Sequence, residues 1–166
     1  LGDVYKRQDP AQVGRHAAMK MVLPGARPVI APDPSLNRWH SAAVGQALWL
    51  SVNDPTATKH ESLSFMGQAV SLTARRNGLS FNMGDGHTVH CDATTPWSPS
   101  VEPGSPSPTC GYTYQQAAPE GGYQVTAITS WDVTWSVLGH TGTVHIEKAG
   151  GQMLPVGELE SVVTRR

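Results

Sequence analysis

From Tyr123 to Val137 the chain places Tyr123, Val125, Ala127, Thr129, Trp131, Val133, Trp135 and Val137 on eight successive odd positions. Gln124, Thr126, Ser130, Asp132, Thr134 and Ser136 take most of the even ones. Successive side chains of a strand point to opposite faces, so this run specifies one long strand, or one strand bent at a bulge, with one face buried and the other wet. A chain that must bury such a face needs further strands beside it.

Further strands are legible from about Gln46 onward. Leu48, Leu50 and Val52 alternate with Trp49 and Ser51, and Val70 and Leu72 alternate with Ser71 and Thr73 within Ala69 to Ala74. Leu79, Phe81 and Met83 alternate next, between two turn signals, Asn77-Gly78 and Gly84-Asp85-Gly86, with His87 to Cys91 as the return strand. Thr143 to Glu147 and Val156 to Thr164 supply the last strands. Gly139 and Gly142 mark the turn before them, and Gly150, Gly151 and Pro155 separate them. Thr94 to Thr109 holds Pro96, Pro99, Pro103, Pro106 and Pro108, too many for a central strand, and reads as a surface loop. Short strands at this spacing, with no helix among them, specify an all-β fold, an antiparallel β-sandwich over residues 46–166.

Residues 9–45 read differently. Asp9-Pro10 is an N-cap followed by proline at the first helical position, and Val13, Ala17, Ala18, Met21 and Val22 recur at helical spacing. That predicts a short amphipathic helix. Four prolines, at 24, 28, 32 and 34, then impose an extended connector.

Several functions are excluded by composition and motif. Twelve Lys and Arg face thirteen Asp and Glu, with no basic cluster longer than a pair, so no field is available to hold a nucleic acid. No run of about 18 apolar residues could span a membrane as a helix. A phosphate-cradling Gly-x4-Gly-Lys-Ser/Thr is missing, which argues against a nucleotide. Seven His, at 16, 40, 60, 87, 90, 140 and 145, are scattered without a Gly-x-Ser-x-Gly elbow, a His-Glu-x-x-His or a carboxylate pair. The expectation is therefore no enzyme, no cofactor and no metal.

Cys91 and Cys110 bracket the proline-rich loop, and three readings stand: a disulfide, two buried thiols, or a metal site with His87 and His90. The disulfide is favoured, because neighbours 90 and 91 on a strand face opposite ways and cannot easily meet one ion. It would staple a loop of about 20 residues, worth about 3 kcal/mol, and implies an oxidising compartment. Asp85, a lone carboxylate between glycines, reads as a bond to its own turn backbone and not as a cation ligand. Trp131 and Trp135 share a face with Val133 and read as core. Trp97, between Pro96 and Pro99 on a loop, is the residue best placed to contact a ligand.

Two resemblances complete the reading. Leu79-Ser80-Phe81-Asn82-Met83-Gly84-Asp85-Gly86, then Tyr112-Thr113-Tyr114, then Gly121-Gly122-Tyr123-Gln124-Val125-Thr126 resemble the three blocks of the PKD domain in order. Asn82, Met83 and Tyr112 stand where that pattern has Asp, Phe and His. With Cys91, Cys110 and the Trp131/Trp135 strand, the set is similar to uncharacterised bacterial envelope proteins with a PKD-like C-terminal domain. The resemblance implies an immunoglobulin-like sandwich, extracellular or in the bacterial cell envelope. Its expected role is non-catalytic contact with a protein or glycan at the cell surface; the alternative is a structural or assembly component of an envelope complex. Separately, Asp3-Val4-Tyr5-Lys6-Arg7-Gln8 is what GAT GTG TAT AAG AGA CAG encodes, which resembles a transposase end used in sequencing libraries. Leu1 to Gln8 are accordingly read as adapter-derived and set aside from the fold. Any membrane association is expected only through a missing upstream segment.

Overall fold

A computed structural model describes residues 9–158. The expectations for Leu1 to Gln8, and for the part of the last strand from 159 to Thr164, lie outside the described residues. The elements in order are α1 (Pro10–Met19), β1 (Pro28–Ala31), β2 (Ala42–Ala43), β3 (Leu48–Val52), β4 (Thr58–Phe65), β5 (Gln68–Asn82), β6 (Thr88–His90), β7 (Gly111–Tyr112), β8 (Tyr123–Val137), β9 (His140–Leu154) and β10 (Val156–Gly157). Strands β4-β5-β8-β9 form one sheet, with β6 also paired to β5; β1-β3-β7 form a second, and β10 pairs parallel with β2. Among the described residues the fold is all-β, dominated by antiparallel pairs, with one α-helix and a proline-rich connector ahead of it, the latter holding a short 3-10 turn at Pro34–Leu36.

β8 forms as the alternation dictates: every odd position from Tyr123 to Val137 is buried without a break. Its two flanking strands depart from the sequence reading. Asn77-Gly78 is not a turn but lies inside the 15-residue β5. The inward positions of that strand change from Val70, Leu72 and Ala74 to Leu79 and Phe81, the slip of one that an extra bulged residue produces. Gly142, Gly150 and Gly151 likewise do not end a strand, since β9 runs through all three. At Gly142 and Gly150 neighbours come too close for a side chain. A Cβ at Gly142 would lie 2.5 Å from the Trp135 ring, and one at Gly150 would lie 2.7 Å from the Ala26 carbonyl oxygen.

By compactness the chain divides into two units. The first comprises the described residues up to Pro24 with Thr56–Asn77 and Ser130–Glu147. Here Val13, Ala17, Ala18, Met21 and Leu23 pack with Val70, Leu72, Ala74, Trp131, Val133, Trp135 and Val137. Asp9 caps the helix through its carboxylate and Pro10 occupies the first turn, as expected. The helix stops at Met19, however, and Val22, expected on its apolar face, is exposed. The eight-residue edge strand β4 went unread in the sequence.

The second unit comprises Gly25–Pro55, Gly78–Thr129 and the residues from Lys148 onward. It is the sandwich. Ile30, Leu48, Leu50 and Val52 of the β1-β3-β7 sheet share a core with Leu79, Phe81, Met83, Tyr123, Val125, Ala127 and Leu154 of the larger sheet. The connector is more than a spacer, because Pro28 to Ala31 pair antiparallel with Val52 to Trp49. Proline is tolerated there at the first residue of an edge strand.

Trp135 makes the packing of the first unit testable. Its ring is pressed between Gly142 and the helical Gly14, where an added Cβ would lie 2.1 Å from the ring. Alanine normally improves a helix interior by up to about 1 kcal/mol over glycine, whereas overpacking a closed core costs about 1–3 kcal/mol. Gly14→Ala is therefore expected to lower the urea midpoint, while His16→Ala on the exposed side of the same helix leaves it unchanged or raises it. Midpoints that rise for both variants would contradict this packing.

Candidate functional site

Two regions of the second unit bring the singled-out residues together. The first is the Gly84-Asp85-Gly86 turn, which follows β5. Gly84 has φ 81° and a Cβ there would meet the Gln124 carbonyl oxygen at 2.6 Å, so only glycine fits. The Asn82 side chain accepts from the Gly84 N–H at 3.0 Å, Asp85 Oδ1 accepts from the His87 N–H at 3.0 Å, and the Met83 N–H reaches the His87 carbonyl at 2.9 Å. The Asp85 carboxylate thus binds its own turn, in line with the sequence reading.

Its second oxygen accepts from the Tyr112 hydroxyl of β7. Tyr114 donates to the Met83 carbonyl at 2.7 Å, its ring stands edge-on to Tyr112 at 4.9 Å and stacks on Tyr123 at 4.6 Å. The turn, the Tyr-Thr-Tyr block and the first residue of β8 therefore meet in one aromatic cluster. Burial works against ionisation of Asp85, but hydrogen bonds from Tyr112 and from the backbone and ring of His87 outweigh it and hold the carboxyl below the usual range. Burial, then the bond to Asp85, pushes the Tyr112 hydroxyl well above the ordinary phenol value; burial does the same to Tyr114. Both phenols are donors at any physiological pH, and this arrangement supports structure more than chemistry. A recess of about 130 Å³ between Asp85, His87, Gln115, Gln116 and Tyr123 has room for only a few waters.

The second region is the proline-rich loop. Cys91 and Cys110 form a disulfide across 19 positions, with Cα atoms 5.6 Å apart. Cys91 donates to the Leu79 carbonyl of β5, and the Cys110 carbonyl accepts from Leu50 of β3, so the bridge ties one sheet of the sandwich to the other. The Thr95 and Thr109 hydroxyls meet at 2.8 Å and close the loop's base. This disulfide fits an oxidising compartment. It also removes Cys91 from the metal set with His87 and His90, and among the described residues no three His, Cys, Asp or Glu converge.

Folding back over β3, the loop encloses a groove of about 290 Å³ whose walls include Trp97, Trp49, Pro99, Pro103, Gln46 and Glu102. Trp97 is half-buried and lines this groove. Trp49 was missed as a site residue, because alternation assigns it to the outer face of its strand. The structure buries it as well, its indole N–H donating to the Ser105 carbonyl at 2.8 Å. No pattern in the sequence signals that contact across 56 positions. Trp131 and Trp135 are core, as expected.

No family model, curated protein or solved structure matches the chain. Among the described residues, no helix is long and apolar enough to cross a membrane.

The Asp85 and disulfide contacts have measurable consequences. A carboxyl whose folded pKa is depressed contributes stability above its unfolded value of about 3.9, which is lost as pH falls through the folded value. Tyr112→Phe should therefore cost about 2 kcal/mol at pH 7, the scale of a hydrogen bond to a charged group, and the gap to the parent should narrow as pH falls below the unfolded value of about 3.9. Denaturant melts across that pH range test both. Reduction of Cys91–Cys110 should remove about 3 kcal/mol, seen as a lower midpoint under reductant.

Proposed function

We propose that this chain is a non-catalytic extracellular module of the bacterial cell surface, PKD-like in its sandwich, that holds a carbohydrate in the Trp97 groove. The observation that carries the reading is the half-buried Trp97 in a concave groove with Trp49, beside the amide of Gln46 and the carboxylate of Glu102. An indole face suits the C–H face of a sugar ring, while a few convergent polar groups fix its hydroxyls. A protein ligand, the other class expected, is less suited to a concavity this small, since specific protein interfaces bury on the order of 800 Å² per partner. The disulfide supports the extracellular setting. The meeting of Met83 to Gly86, Tyr112 to Tyr114 and Tyr123 in one cluster supports the PKD-like reading, because the three motif blocks are then one structural unit.

Screening the whole chain against an array of bacterial and host glycans should return one class of oligosaccharide, with quenching of tryptophan fluorescence on titration. Trp97→Ala should weaken that binding at least tenfold, about 1.4 kcal/mol, with the melting curve unchanged. An array without hits, or a Trp97→Ala protein that binds as the parent does, would refute the groove as a sugar site.

A further inference from the structure

In the first unit, the β4–β5 hairpin turns through Met66-Gly67 and the β8–β9 hairpin through Leu138-Gly139. Met66 has φ 51° and Gly67 77°; Leu138 has φ 49° and Gly139 79°. Positive φ at both central residues makes each a type I′ turn, whose first position strongly favours Asn, Asp or Gly. A large side chain held there costs about 1–2 kcal/mol. Both turns nonetheless carry long apolar side chains, exposed at 50% for Met66 and 57% for Leu138. Neither is needed for the turn, and neither is absorbed by the core.

The two tips lie at the same end of the sheet. Asn77 bonds to Asp132 at 2.8 Å, and Gly84 approaches Gln124, so β5 and β8 run antiparallel and the start of one adjoins the end of the other. The strand segments next to the tips carry no acid: positions 62–74 and 133–146 hold no Asp or Glu, the nearest being Glu61, Asp132 and Glu147 at their margins. Lys20 sits 5.7 Å from the ring of Phe65, the residue before Met66, and exposed His140 follows Leu138-Gly139. No acid occurs from Pro10 to Lys20, and Asp9 caps the far end of that helix.

We infer that this end of the first unit is a lipid-contact surface, on which Met66 and Leu138 enter the interface of an anionic bilayer while Lys20 meets the headgroups. Two narrow tips present too little area for a stable protein interface, but they suit shallow insertion, in which apolar contact and attraction to anionic lipid add. The inference is independent of the Trp97 groove and goes beyond the expectation that only an upstream segment would reach a membrane.

The test is co-sedimentation of the whole chain with vesicles of phosphatidylcholine alone or mixed with phosphatidylglycerol. Partition onto the mixed vesicles should exceed that onto the neutral ones at least tenfold. The double variant Met66→Asn with Leu138→Asn should lose at least tenfold of it. Because asparagine suits the left-handed turn position, that variant should melt at the same temperature or higher, which separates lost binding from lost folding. Equal partition onto both vesicle types, no association with the mixed vesicles, or undiminished association of the double variant would each overturn the inference. So would self-association in ultracentrifugation that the double variant abolishes without any vesicle binding.

Discussion

The unbroken odd-position face of β8 is the constraint around which the other elements are arranged. Its first half, with Tyr123, Val125 and Ala127, belongs to the core of the sandwich, and its second half, from Trp131 to Val137, to the core beneath α1. One strand with a single buried face thus contributes to two hydrophobic clusters. Its neighbours adapt to it in different ways. β5 shifts its inward parity by one residue, and β9 lowers its bulk with glycine where Trp135 occupies the space. The physical reason is close packing: an indole ring admits no second side chain within van der Waals distance, so the opposing positions give up theirs.

Within the second unit the two sheets are joined by more than apolar contact. The Cys91–Cys110 bridge connects strands of both, and the Tyr112 hydroxyl reaches from β7 to the carboxylate that organises the turn after β5. Tyr114 and Tyr123 extend this tie through stacking and through hydrogen bonds to loop carbonyls. The proline-rich loop is anchored on this framework at its base and by Trp49 through the Ser105 carbonyl. A loop already ordered loses less conformational freedom when a ligand enters.

Much was legible wherever local pattern and tertiary demand coincided. The cap at Asp9 and the burial along β8 both follow from residues close in sequence. The pairing of the two cysteines and the turn at Asp85 were legible for a related reason, since their partners flank one loop or one turn. The reading failed at Asn77-Gly78, Gly142 and Gly150-Gly151, where turn-forming residues lie within strands. Glycine is required both where the backbone turns and where another group comes too close, and the sequence does not distinguish the two uses. Trp49 was misassigned for a similar reason: alternation shows which face a residue is on, but not whether a distant loop covers that face.

The sequence by itself determined the strand-dominated class, the buried face of β8, the capped helix and the loop that the disulfide closes, because each depends on periodicity or on short-range chemistry. Only the tertiary structure decided that β5 and β9 run through their glycines, that Trp135 is held between Gly14 and Gly142, and that Trp49 and Trp97 border one groove. It also placed the Met66 and Leu138 tips at one end of the sheet. These outcomes depend on which surfaces meet across tens of residues, and that is fixed by excluded volume and burial in the folded chain, not by any local preference.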